Sequence, residues 1–138
     1  MKLTKVLFIC IGNACRSQMA EAFARKYGSD VLEAASAGLA PASMIPEVTR
    51  AMMRELGIDM PKQFPKSVHD IQAHDYDVVV NLSGHSLRGL SFRSPRVWAV
   101  RDPIAEPESV HREVRDEIER NVMSLILELR LAKRKQSP

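Results

Sequence analysis

Cysteine is scarce in this chain: among 138 residues only Cys10 and Cys15 carry thiols. A bridge across so short a segment constrains little chain, and a reducing cytosol keeps thiols free. A disulfide framework is therefore excluded, and reactive cysteine chemistry is the role left open. Aromatic residues make up only 5% of the chain and no recognition motif accompanies its basic residues, so nucleic acid is not an expected partner. No run approaches the ~20 apolar residues of a membrane span. The opening MKLTKVLFIC sets lysines before an apolar run, as a signal peptide does. That run is short, however, and Gly12, Asn13 and Arg16 follow it instead of a small-residue cleavage site. It reads as a buried strand, and the protein as cytoplasmic. Repeats and low-complexity linkers are also lacking. His69, His74, His85 and His111 do not have the spacing of a metal site, so neither metal nor cofactor is expected. The net charge is a modest +3. Lys133, Arg134 and Lys135 read as a solvated helix end. Arg88, Arg93, Arg96 and Arg101 form a basic group that also suits the steering of an anionic substrate.

Hydrophobic residues at 45% and charged residues at 27% describe one globular domain over residues 1–138, a monomer or weak dimer. Apolar runs alternate with helical patterns. Strands are expected at Lys5–Cys10, Val31–Ala37, Tyr76–Leu82 and Arg96–Val100. Helices are expected at Arg16–Tyr27, at Pro46–Leu56 with Pro46 in its first turn and Gly57 as its stop, and at Glu108–Lys133. In the last helix Val110, Val114, Ile118, Val122, Leu125, Ile126 and Leu129 make the buried stripe. Trp98, on the fourth strand, is expected in the core. Uninterrupted apolar strands alternating with helices predict an α/β fold of three layers, with a parallel sheet covered by helices on both faces. Ligands in such folds bind at the carboxyl ends of strands. Cys10 ends the first strand and Asp102 follows the fourth, so both fall on that rim.

Between the first strand and first helix runs Cys10-Ile11-Gly12-Asn13-Ala14-Cys15-Arg16-Ser17. A tight turn at a helix start aims backbone N–H groups inward and makes an anion-binding nest. Gly12 permits close backbone approach, and Asn13 tolerates a left-handed conformation. The planar fork of Arg16 suits two oxygens of a tetrahedral oxyanion. Cys10 lies at the base, where the amides, Arg16 and a hydrogen bond from Ser17 favour a thiolate. A thiolate needs no separate base to act as nucleophile.

CIGNACRS resembles the signature of the low-molecular-weight protein tyrosine phosphatase superfamily, which has an arsenate reductase branch. RSQMAEAFAR, Ser36-Ala37-Gly38, the Pro46–Gly57 segment with Ile58-Asp59, and Asp102-Pro103 extend the resemblance along nearly the whole chain. It implies a four-stranded sheet of order 2-1-3-4, with Cys10 as nucleophile, Arg16 as oxyanion clamp and Asp102 as general acid. It also implies that Asn13 and Ser36 buttress the loop by hydrogen bonds.

Two activities share the first step, attack by Cys10 on phosphorus or arsenic. A phosphatase, the first reading, finishes with water on a phosphorylated protein or small phosphomonoester. A reductase needs a second thiol. SAGLAP and VRDEIE resemble the reductase branch. Reductases coupled to thioredoxin carry two more cysteines after the third strand, whereas Asn81–Ser91 here holds none. The alternative is therefore an arsenate reductase that borrows an external thiol, such as glutathione or mycothiol with its redoxin. Cys15 is either a packed side chain or a partner that traps oxidised Cys10. Ile104 and Ala105 stand where phosphotyrosine enzymes of this kind carry aromatic residues. A non-catalytic oxyanion-binding module is the third reading, and it leaves the nucleophile and acid unexplained.

Overall fold

A computed structural model describes residues 2–136. Four strands, β1 (Thr4–Cys10), β2 (Leu32–Gly38), β3 (Val78–Asn81) and β4 (Arg96–Val97), form one sheet in the order β2-β1-β3-β4. Every pairing is parallel, with Cys10 opposite Gly38 and Ile9 opposite Asn81. The α-helices are α1 (Arg16–Gly28), α2 (Glu47–Arg54) and α3 (Glu108–Gln136).

Alternation along β1 divides the core. Val6, Phe8 and Cys10 face the larger cluster, which takes Met19 and Phe23 from α1, Met52 and Met53 from α2, and Ile118, Val122 and Ile126 from α3. Leu7 and Ile9 face the smaller cluster with Val68, Val79 and Leu87. Thus α1, α2 and α3 all pack with the first cluster. The opposite face is covered by 3₁₀ turns at Val68–Asp70 and Ala73–Asp75 and by the segment around Leu87 and Phe92. The stripe on α3 buries Val114, Ile118, Val122, Leu125 and Ile126, while Val110 and Leu129 are half-buried at its margins. Each full burial of this kind contributes roughly 1.5–3 kcal/mol.

Two boundaries differ from the sequence expectation for reasons that are local. β4 stops at Val97, because the Val100 N–H turns back to the Trp98 carbonyl at 3.0 Å. Trp98 is consequently half-buried, its ring 5.8 Å from that of Phe8. Pro46 precedes α2 in an extended conformation (ψ 150°) and does not occupy its first turn. Gly57 does stop that helix: at φ +74° its N–H reaches the Arg54 carbonyl while Ile58 N–H reaches that of Met53, a left-handed ending that favours glycine.

Candidate active site

The Cys10–Ser17 loop is held from outside by its carbonyls. Those of Cys10, Ile11 and Gly12 accept N–H groups from Leu39, Ala40 and Ala42 at 3.1, 2.8 and 2.9 Å. The Asn13 carbonyl accepts from Gln18 Nε2 at 2.9 Å. Among the described residues no peptide bond is cis, and in a trans peptide the N–H points opposite to the C=O. Turning these four carbonyls outward turns the following amides, of Ile11, Gly12, Asn13 and Ala14, into the loop. No side chain caps the N-terminus of α1, so its first-turn amides are left for a ligand.

Asn13 is the keystone of this arrangement. It is fully buried and sits at φ +50°, a region Asn tolerates better than most residues. Its Nδ2 donates to Ser17 Oγ at 2.8 Å, and its Oδ1 accepts the Lys66 N–H at 2.9 Å. Ser17 Oγ, which accepts from Asn13, lies 2.8 Å from Cys10 Sγ. The Ser17 hydroxyl hydrogen remains available to donate to the sulfur. Cys10 itself is buried, 3% exposed.

Gly12 is not demanded by the protein itself. A Cβ there would meet only Ala14 and Ala42 side chains at 3.8 and 3.9 Å. Gly38 is the residue that the fold requires. A Cβ on it would lie 2.8 Å from the Ile11 carbonyl oxygen and 2.9 Å from Asn13 N.

Arg16 reaches across the rim. Its Nη1 donates to the carbonyls of Leu82, after β3, and Val100, and its Nη2 lies 3.4 Å from Asp102 Oδ2. The guanidinium is thus anchored by one nitrogen and partnered by a carboxylate through another. Nη2 carries two N–H groups, so an incoming oxyanion can share it with Asp102. The other oxygen of Asp102 accepts the Ile104 N–H at 3.1 Å, so this Asp-Pro is an ordinary turn as well as a rim carboxylate.

Ser36 does not touch the loop. Its hydroxyl donates to Glu21 Oε1 at 2.6 Å, and Glu21 Oε2 pairs with Arg25. Its position on β2 aims it at α1, where a buried carboxylate needs a donor more than the distant loop does. The buttress falls instead to residues the sequence reading passed over: Gln18, Gln63 and Lys66. Gln18 is fully buried on α1 within RSQMAE, and a polar side chain on the apolar face of a helix was the signal available.

Cys15 immediately precedes α1 and is buried. Burial pushes its thiol up to about 12. Thr49 lowers it somewhat, Cys10 and Asp102 raise it through charge, and Arg16 lowers it. The Thr49 hydroxyl, itself without a partner at hydrogen-bond geometry, lies against this thiol without overcoming its desolvation. Cys15 is therefore a neutral thiol at physiological pH. Among the described residues no group of three or more His, Cys, Asp or Glu could hold a metal ion.

A nucleophilic sulfur beneath inward amides, with an arginine and a carboxylate above, can take a tetrahedral oxyanion and attack its central atom. The family model for low molecular weight phosphotyrosine protein phosphatase matches residues 5–137. A glutaredoxin arsenate reductase of Synechocystis sp. is 34% identical over 92% of this chain and 99% of its own length. A solved arsenate reductase in its phosphate-binding state is 34% identical, with TM-score 0.85, covering 92% of this chain and 99% of that one. A low molecular weight protein tyrosine phosphatase from T. tengcongensis is 26% identical, with TM-score 0.75, covering 91% of this chain and 99% of that one. The chain belongs to the low molecular weight phosphotyrosine protein phosphatase family.

Proposed function

We propose that this chain is an arsenate reductase that uses Cys10 as its only redox-active cysteine and takes the second thiol from outside. The observation that carries this reading is the mouth of the site. After Asp102 and Pro103 come Ile104, 62% exposed, and Ala105 at φ +62°. Neither offers an aromatic face for a ring to stack on. An aryl phosphate needs such a face for its leaving group, whereas a small inorganic oxyanion needs only the nest and Arg16. The relative in Synechocystis sp. and the structural neighbour with the higher TM-score are both arsenate reductases, which supports the same reading.

The chemistry uses the residues in turn. Arsenate enters the nest and accepts from Arg16 Nη2 beside Asp102. Cys10 Sγ attacks arsenic, an S–As bond forms, and an As–O bond breaks. A proton taken up from solvent and relayed by the Asp102 carboxyl lets the oxygen leave as water. An external thiolate then attacks Cys10 Sγ. The S–As bond breaks with its electron pair on arsenic, which leaves as arsenite, and Cys10 is held in a mixed disulfide. A second thiol opens that disulfide and returns Cys10. The external thiol is required because Asn81–Ser91 contains no cysteine and Cys15 is buried and neutral. Glutathione or mycothiol with its redoxin fits the role.

Phosphomonoester hydrolysis is the second reading, favoured by family membership and by Asp102 standing beside Arg16. The two are separated by assaying one preparation for arsenite release with each thiol system and for p-nitrophenyl phosphate hydrolysis. Thiol-dependent arsenite release far above the hydrolysis rate, absent in Cys10→Ser, is expected. Rapid hydrolysis with no arsenite would replace this reading by the phosphatase.

A further inference from the structure

The Gln63 side chain has no place in the chemistry above, yet both of its amide hydrogens are committed next to the nest. Nε2 donates to Gln18 Oε1 at 2.7 Å and to the Gln18 main-chain carbonyl at 3.1 Å. Gln18 in turn spends both of its amide hydrogens, on the Asn13 carbonyl at 2.9 Å and the Phe64 carbonyl at 3.0 Å. The orientation of both amides follows from this network. Reversing Gln18 would set its oxygen against two carbonyls and its nitrogen against the nitrogen of Gln63.

We infer that Gln63 is a positioning residue for oxyanion binding, acting through Gln18 on the Asn13–Ala14 peptide. Gln63 fixes which end of the Gln18 amide faces the loop. Gln18 then holds the Asn13 carbonyl outward, and the Ala14 N–H is thereby aimed into the nest. Asn13 needs this support because it is held at φ +50°, a conformation that costs energy for a residue with a side chain. Its side chain is already committed to Ser17 and Lys66, so the main-chain carbonyl is the remaining handle on this peptide. Gln63 and Lys66 belong to one stretch of chain. Lys66 N–H binds Asn13 Oδ1, and the Lys66 carbonyl receives the Gly38 N–H at 2.8 Å. The segment 63–66 therefore grips the loop at two points, one through Gln18 and one directly.

The inference rests on the loop being an oxyanion site and not on which oxyanion is turned over, so inorganic phosphate is the probe. Phosphate affinity is measured by calorimetry for wild type, Gln63→Met, Gln18→Met and the double variant, each with its melting temperature. Methionine keeps the length of the side chain and its neutrality while removing the donor, so long-range charge is unchanged. Loss of one aimed amide predicts about tenfold weaker phosphate for Gln63→Met, and at least as much for Gln18→Met. The double variant should be no weaker than Gln18→Met alone, because Gln63 acts only through Gln18. Arsenate KM should rise in Gln63→Met while kcat at saturation changes less. Wild-type phosphate affinity in Gln63→Met overturns the inference, and so does a double variant in which the two losses add. A variant that melts lower but binds phosphate normally also overturns it, since Gln63 would then support only the fold. Failure of arsenate reduction with these phosphate results intact would instead count against the proposed activity.

Discussion

Replacing Gly38 with alanine places a methyl group against the back of the oxyanion loop. The backbone at Gly38 is not left-handed, so the substitution carries no dihedral penalty, and its effect is steric alone. The new Cβ would lie 2.8 Å from the Ile11 carbonyl oxygen, 2.9 Å from Asn13 Cβ and 2.9 Å from Asn13 N. These are backbone atoms or rigidly attached to backbone, and no flexible side-chain end is available to yield. Gly38 cannot retreat either, because it pairs with Cys10 in the sheet and donates to the Lys66 carbonyl. Ordinary van der Waals spacing requires the loop to move by about half an ångström. Overpacking of this kind costs about 1–3 kcal/mol, a loss of roughly 3–10 °C in melting temperature for a domain of this size. Displacement on this scale in a catalytic constellation lowers kcat/KM by about tenfold to a hundredfold. The assay compares kcat/KM and thermal melts of Gly38→Ala with Gly12→Ala. A Cβ at Gly12 meets only ordinary contacts, so Gly12→Ala should melt like wild type. Wild-type activity and melting in Gly38→Ala would refute the steric argument.

Three further outcomes are expected. Cys15→Ala should retain arsenate reduction within about threefold, and iodoacetamide at neutral pH should label Cys10 and spare Cys15, because burial holds the Cys15 thiol near 12; peptide mapping reads the label. Asp102→Asn should lower kcat by about a hundredfold through loss of the proton donor, while phosphate binds more tightly because Arg16 no longer has a neighbouring carboxylate at 3.4 Å. Glu55 is held down to about 2, first by hydrogen bonds from Arg112 and then from Arg115. Its folded value lies below the unfolded one, so its contribution is complete above the ordinary 4.5 and fades as pH falls toward 2. Glu55→Gln should therefore be less stable than wild type at neutral pH in urea melts, with the gap closing as the solution is acidified.

The sequence made the reactive loop legible because its information is local. A strand of apolar residues ending in Cys10, a Gly-Asn turn and Arg16 at a helix start lie within one short segment. The parallel sheet was likewise legible from uninterrupted apolar runs, although its strand order came from resemblance. The supports of the loop were not legible, because they join residues far apart in the chain. Gln18 meets Gln63, and Asn13 meets Lys66, through hydrogen bonds that leave no periodic trace. Ser36 was placed on the correct strand, but its hydroxyl serves Glu21, a buried carboxylate that hydrophobic patterning treats as solvent-facing. β4 was read too long, because apolar character continues through Val100 while the backbone has already turned away from the sheet. The second face of the sheet carries short 3₁₀ turns with no amphipathic repeat to reveal them.

The central claim is that Cys10 completes its cycle with a thiol from outside the chain. Intact-mass analysis tests it after the protein is mixed with arsenate and glutathione, or mycothiol, in the absence of any redoxin. One thiol adduct per chain, mapped to Cys10, with one arsenite released and the same result in Cys15→Ala, is the predicted outcome. An internal Cys10–Cys15 disulfide formed with arsenite release and no external adduct would contradict the account.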